Sequence, residues 1–117
     1  MAVMNVRHIV ILVTTKDEEE AEKIARRLLE EKLVACANVT RGVKSLFWWD
    51  GKIDEASEAL MVLKSREDFL PEIIETVKAL HSYDVPEVLA LPAADGNKDY
   101  LKWIDESVKQ VKERENG

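Results

Sequence analysis

The sequence predicts an α+β domain, an antiparallel sheet with two helices on one face, and three observations predict it. Apolar residues switch between strand-like runs and 3.6-residue periodicity in the order strand, helix, strand, strand, helix, strand, helix. Asp50-Gly51 lies between two long β-prone runs, and that pair suits a type I′ hairpin turn, which needs positive φ at both central residues. The chain has 117 residues, 46% of them apolar and 34% charged, enough for one core and too few for two. All elements therefore belong to a single domain, 1–117, with 1–7 and 113–117 expected to fray.

The first strand runs from His8 to Thr14, and its near-continuous Ile, Val and Leu suit a strand central in a sheet. The first helix opens at Thr15 or Asp17, each with a glutamate three residues on, Glu18 or Glu20, as capping-box partner. Ala21, Ile24, Ala25, Leu28 and Leu29 form its apolar face. Ala35 to Trp49 and Lys52 to Lys64 are then the arms of one hairpin. Extended throughout, the first arm would reach about 50 Å, whereas a domain of this length is about 35 Å across. The hairpin overruns its own domain. Gly42, after Thr40-Arg41, predicts a bulge that bends the arm, so the tip either folds back or lies against another copy of the chain.

The second helix is capped by Ser65 or Asp68; Pro71, with no N–H to donate, belongs in the first turn and favours Asp68. Phe69, Ile73, Ile74, Val77 and Leu80 form its buried stripe, and His81 ends it, where the helix dipole favours a cation. Val85-Pro86 forces an extended entry to a fourth strand, Glu87 to Leu91, closed by Pro92. Asn97 caps a last helix with Tyr100, Ile104, Val108 and Val111 on one face. The order β-α-β-β-α-β, with a long second hairpin and an extra C-terminal helix, is the ferredoxin-like split βαβ pattern.

Composition excludes several function classes. A net charge of −6 repels phosphate backbones, so no nucleic-acid partner is expected. The longest apolar run, Ile9 to Val13, is too short to span a bilayer, and no cleavage pattern follows it. One cysteine, Cys36, forms no internal disulfide and fits a reducing compartment, so a cytoplasmic protein without a membrane partner is expected. Abundant Glu, Lys and Arg beside a single Gln lean towards a thermophile composition.

Candidate chemistry is sparse. A copper(I) carrier of this topology would need a Cys-x-x-Cys pair after the first strand, where the chain has Thr14-Thr15-Lys16-Asp17. A phosphatase-type anion cradle would need glycines and an arginine in that loop; the only Arg-Gly-Val, Arg41 to Val43, sits mid-hairpin. An RNA-recognition domain would carry its aromatics on central strands, not at a hairpin tip beside acids. No nucleophile is paired with a base, so an enzyme is not expected. Cys36 among alanines reads as a small apolar filler, His8 as a plain strand start, and Asp54, Glu55 and Glu58 as solvated charges. His81 is either a helix-end cation or an imidazole ligand. Phe47, Trp48 and Trp49 at an exposed hairpin end would be a hazard on a monomer and typical anchors at an interface.

Leu33-Val34-Ala35-Cys36-Ala37-Asn38-Val39, Phe47-Trp48-Trp49-Asp50-Gly51-Lys52-Ile53, Leu63-Lys64-Ser65, His81-Ser82-Tyr83-Asp84-Val85-Pro86-Glu87 and Asp99-Tyr100-Leu101-Lys102-Trp103, in this order, closely resemble the CutA divalent-cation-tolerance family. The likeness runs over about residues 8 to 108. It implies a homotrimer whose long hairpins join sheets between subunits, an association with copper tolerance, weak binding of copper or another divalent metal, and no organic cofactor. It also implies an inter-subunit crevice around Lys64, Tyr83 and Trp49. Enterobacterial members assign copper to a cysteine at the end of the first strand and a His-His pair closing the second helix. The matching residues are Val13, Leu80 and His81, which leaves His81 as the one metal ligand, and Ser82 replaces the proline usual after it. A trimeric small-molecule or anion sensor using Lys64 and Tyr83 is the alternative; a trimerising scaffold for a partner is a third reading.

Overall fold

Strand β1 (His8–Thr15) is the centre on which the sheet is built. In the computed structural model, which describes residues 7–110, it is followed by α1 (Glu18–Glu30), β2 (Cys36–Trp49), β3 (Lys52–Arg66), a 3-10 turn at Glu67–Phe69, α2 (Leu70–Leu80), β4 (Leu89–Pro92) and α3 (Lys98–Ser107). The strand order is β2-β3-β1-β4, and every neighbouring pair is antiparallel. This is the expected ferredoxin-like arrangement. Ile9, Ile11, Val13 and Thr15 alternate onto the buried face of β1, as a strand's two-residue period requires. Their neighbours on β3, Ala59, Met61, Leu63 and Ser65, are buried with them.

Helices α1 and α2 cover that face. Ile24 and Leu28 from one, and Ile73 and Val77 from the other, join Ile11, Val13, Met61 and Leu63 in a single core from which water is excluded. Each such side chain contributes about 1.5–3 kcal/mol relative to exposure. Asp17 is the cap of α1, its Oδ1 accepting the Glu20 N–H at 2.8 Å. Leu29, assigned to the apolar face, stands at its margin and is exposed. Helix α3 reaches the other face of the sheet: Asp105 Oδ1 lies 2.9 Å from His8 Nε2 and accepts from Arg66 at 3.2 Å. His8 is thus a tie between strand and helix rather than a plain strand start. Past α3, Val108 enters the core and the Lys109 N–H bonds the Lys32 carbonyl at 2.8 Å.

Several boundaries differ from the sequence expectation. Asp68 does not cap α2; a 3-10 turn intervenes, Phe69 occupies the cap position with no side-chain bond, and Asp68 accepts from Arg66 Nε at 3.2 Å instead. Pro71 does lie in the first turn. His81 is one residue past α2, with extended backbone. Strand β3 runs on to Arg66, because β1 pairs with it along its whole length, and β4 begins only at Leu89. Arg7 is held, its carbonyl accepting the Glu67 N–H at 2.9 Å. The fraying expected for the rest of 1–7 and for 113–117, and the place of Val111, fall outside the described residues.

The hairpin behaves as its length demanded. Strands β2 and β3 pair from Cys36↔Lys64 to Trp49↔Lys52, with a slip in register between Thr40 and Val43. Gly42 supplies that bulge at φ +73°, and Asp50 and Gly51 turn the tip at +53° and +76°. The bulge does not fold the arm back. The molecule measures 51 × 28 × 28 Å, with a radius of gyration of 15.9 Å, above the roughly 13 Å of an ordinary domain this size. A Cβ added at Gly42 would meet nothing within 4 Å, so Gly42→Ala carries only the backbone penalty of a left-handed conformation. That variant is expected to lose about 1–2 kcal/mol in urea unfolding, with Gly42→Asn losing less.

Candidate functional site

The densest polar network gathers where β1 ends, α1 begins and the loop from α2 to β4 crosses them. His81 is 9% exposed. Its Nε2 lies 2.8 Å from the Thr14 carbonyl, and its Nδ1 accepts the Tyr83 N–H at 3.0 Å. A carbonyl only accepts, so Nε2 donates to Thr14 while Nδ1 accepts from Tyr83, and both nitrogens are engaged. The Tyr83 ring packs on it at 4.7 Å between centroids.

The Tyr83 hydroxyl donates to Glu58 Oε2 at 2.7 Å. Burial, and then the hydrogen bond and charge of Glu58, push the Tyr83 pKa up to about 12. Glu58, which the sequence groups with Asp54 and Glu55 as a solvated charge, is buried. The reason is geometric. Pairing of β1 with β3 stops at Thr15↔Ala59, so β3 loses that neighbour at Glu58 and Tyr83 closes against it. Asp54 and Glu55 are exposed as expected, and Glu55 pairs with Lys44 at 3.2 Å.

Glu20 joins the two loops. One carboxylate oxygen accepts the Lys16 N–H at 3.1 Å and the other the Ser82 N–H at 2.7 Å. The capping-box partner therefore reaches one residue beyond the cap and across to a second loop. Burial pushes the Glu20 pKa up, but hydrogen bonds from the Ser82 hydroxyl and the Lys16 and Ser82 amides outweigh it and hold the carboxyl below its ordinary 4.5. Nothing in the spacing marked Ser82 as a partner; the Glu at the third helical position was the one available signal.

The other candidates lie elsewhere. Lys64 sits opposite Cys36 on the neighbouring strand, its ammonium donating to the Asn38 side-chain oxygen and standing 3.8 Å from Cys36 Sγ. Cys36 is half-buried rather than a core filler. From Glu58 to Lys64 is roughly 20 Å along an extended strand, and Trp49 lies in the opposite direction, paired with Lys52 at the tip. A single protomer does not bring Lys64, Tyr83 and Trp49 together. At the tip, Trp48 and Trp49 are 74% and 67% exposed, and Phe47, Leu46 and Ile53 are exposed beside them. No group of three His, Cys, Asp or Glu side chains placed to hold a metal ion occurs among the described residues, so the residues of one protomer do not fit a closed copper site.

Residues 9–107 match the family model of the CutA1 divalent ion tolerance protein. The chain belongs to the CutA family. It is 48% identical over 101 residues to the divalent-cation tolerance protein CutA of Archaeoglobus fulgidus, covering 86% of this chain and 98% of that one. It is 43% identical over 102 residues to the chloroplastic CutA 1 of Oryza sativa, covering 87% of this chain but only 58% of the longer rice protein. The crystal structure of CutA1 from Oryza sativa superposes with a TM-score of 0.87 at 42% identity, covering 91% of this chain and 97% of that one.

Within this CutA chain, Val13 lies in the core and Leu80 packs half-buried against it, and neither carries a donor atom. Glu20 provides the sharpest test of the loop junction. Its folded pKa lies below the unfolded value, so its stabilisation is complete at neutral pH and is lost as pH falls below 4.5 through the folded value. Glu20→Gln is expected to lose about 1–3 kcal/mol at neutral pH. Thermal melts of the two proteins should converge as the buffer is acidified.

Proposed function

We propose that this chain acts in divalent-cation tolerance as a non-enzymatic homotrimer, and that it binds copper or a similar ion weakly, with no closed metal site of its own. The observation that carries the trimer is the exposed apolar end of the hairpin, Phe47, Trp48 and Trp49 with Leu46 and Ile53. A patch of this kind on a soluble chain marks an interface. The half-buried Val10, Leu12, Leu60 and Val62 on the sheet face turned away from α1 and α2 add apolar surface to the same purpose. Three copies let one subunit's tip meet another's sheet and bring Trp49, Lys64 and Tyr83 of different subunits into one crevice. The unpaired Cys36 supports a reducing compartment, the cytoplasm.

Light scattering of the purified protein at micromolar concentration is expected to return three times the 13.3 kDa chain mass. Trp48→Glu combined with Trp49→Glu should lower that mass. A monomeric wild type would remove the trimer and the crevice together.

For the metal we assign His81 as the protein ligand, through Nδ1, the nitrogen that bears the lone pair. Coordination there displaces the Tyr83 N–H, which accounts for weak binding, since a half-buried amide loses its acceptor. Copper(II) titration is expected to give a weak isotherm for the wild type and a weaker one for His81→Ala. Indistinguishable isotherms would take His81 out of the account.

A further inference from the structure

Asp95-Gly96 lies in the connection between β4 and α3, where both residues are exposed and neither belongs to a strand or helix. The backbone bonds nearest to it are Ala93 N–H to the His8 carbonyl and Leu101 N–H to the Asn97 carbonyl, so among the described residues no backbone–backbone bond holds either peptide of Asp95. Asp95 Oδ1 accepts the N–H of its own following residue, Gly96, at 2.8 Å. The carboxyl carbon is one bond further, and glycine places no Cβ in the way of that approach. The hydrogen bond folds the carboxyl over the amide, so its carbon stands beside the nitrogen that would attack it once the bond opens.

We propose that Asp95-Gly96 is a site of spontaneous isoaspartate formation, and hence a site for a carboxyl methyltransferase that recognises isoaspartate. Gly96 N attacks Asp95 Cγ; the N–Cγ bond forms, and the carboxyl OH leaves with the amide hydrogen as water, giving a succinimide. Water then adds back at the Asp95 main-chain carbonyl and breaks its bond to nitrogen. The chain now runs through the side-chain carbon, and the former backbone carbonyl becomes a free carboxylate with no net change in mass. That carboxylate is the methyl acceptor when a sulfonium donor supplies the group. The extra main-chain carbon falls two residues before Asn97, whose side chain caps α3 by accepting the Asp99 N–H at 2.9 Å.

Two other aspartates provide internal comparisons. Asp50-Gly51 has the same residues but is fixed at φ +53° and +76° between the paired Trp49 and Lys52. Asp54 Oδ1 makes the same 2.8 Å approach to Glu55 N, yet Glu55 is paired with Leu46 in the ladder and carries a side chain. Only Asp95 of the three combines approach, freedom and glycine.

The full chain is aged at neutral pH and physiological temperature, and isoaspartate is mapped by electron-transfer fragmentation and by methyl incorporation with a purified isoaspartyl methyltransferase. Isoaspartate is expected at Asp95 well above Asp50 and Asp54. Gly96→Ala should suppress it without disturbing the fold, because the atoms nearest the new Cβ belong to the Leu101 side chain, at an ordinary 3.5 Å, and φ there is not left-handed; an unchanged melting curve checks this. Equal accumulation at Asp50, none at Asp95, or an undiminished yield in Gly96→Ala would overturn the proposal.

Discussion

The structure depends on a mismatch of strand lengths. Strand β3 has 15 residues and its neighbour β1 has 8, and the two pair only from Ala59 to Arg66. Along that stretch β3 is an interior strand with a helix-covered face. Beyond it, from Lys52 to Glu58, β2 is its only strand partner among the described residues, so the hairpin leaves the domain as a two-stranded ribbon. An isolated ribbon of two strands is marginal in water. Its aromatics therefore stand exposed until something covers them.

The same mismatch shapes the polar junction. Where β1 stops, Glu58 would face an open flank of β3, and Tyr83 closes it with a 2.7 Å hydrogen bond. Tyr83 can do so because His81 accepts its amide, and His81 is fixed in turn by the Thr14 carbonyl at the end of β1. Glu20 then holds the next amide, Ser82, together with the start of α1. Glu20, Glu58 and His81 are buried and Thr14 and Tyr83 half-buried, while Ser82 and Lys16 are exposed; removing a buried partner would leave an unsatisfied group. The loop after α2 is thus a structural part of the sheet's edge, although in sequence it reads as a plain connection.

The architecture was legible because periodicity and turn chemistry are local signals. Ile9, Ile11 and Val13, the Asp17 cap, the bulge at Gly42 and the turn at Asp50-Gly51 are each visible within a few residues. The motifs shared with the CutA family were legible for the same reason. Long-range polar pairing left no such trace. Glu58 looked solvated beside Asp54 and Glu55 because the residue that buries it is Tyr83, far along the chain. His8 looked like a strand start because Asp105 lies in another helix. Asp68 looked like a cap because Pro71 fixed the first turn, but Arg66 claims its carboxylate and a 3-10 turn precedes the helix.

The hydrogen bonds of His81 bear on the metal role proposed for it. A metal ligand must offer a lone pair, and the one at Nδ1 is already the acceptor for the Tyr83 amide. Drawing it away loosens Tyr83, which leaves Glu58 without its donor at the flank from which the hairpin departs. The metal binding proposed at this imidazole would therefore oppose order at the base of the hairpin within a protomer. If the proposed trimer packs a neighbouring subunit on the hairpin, that packing would raise the cost of the loosening, and the proposed assembly and metal binding would by reciprocity oppose one another.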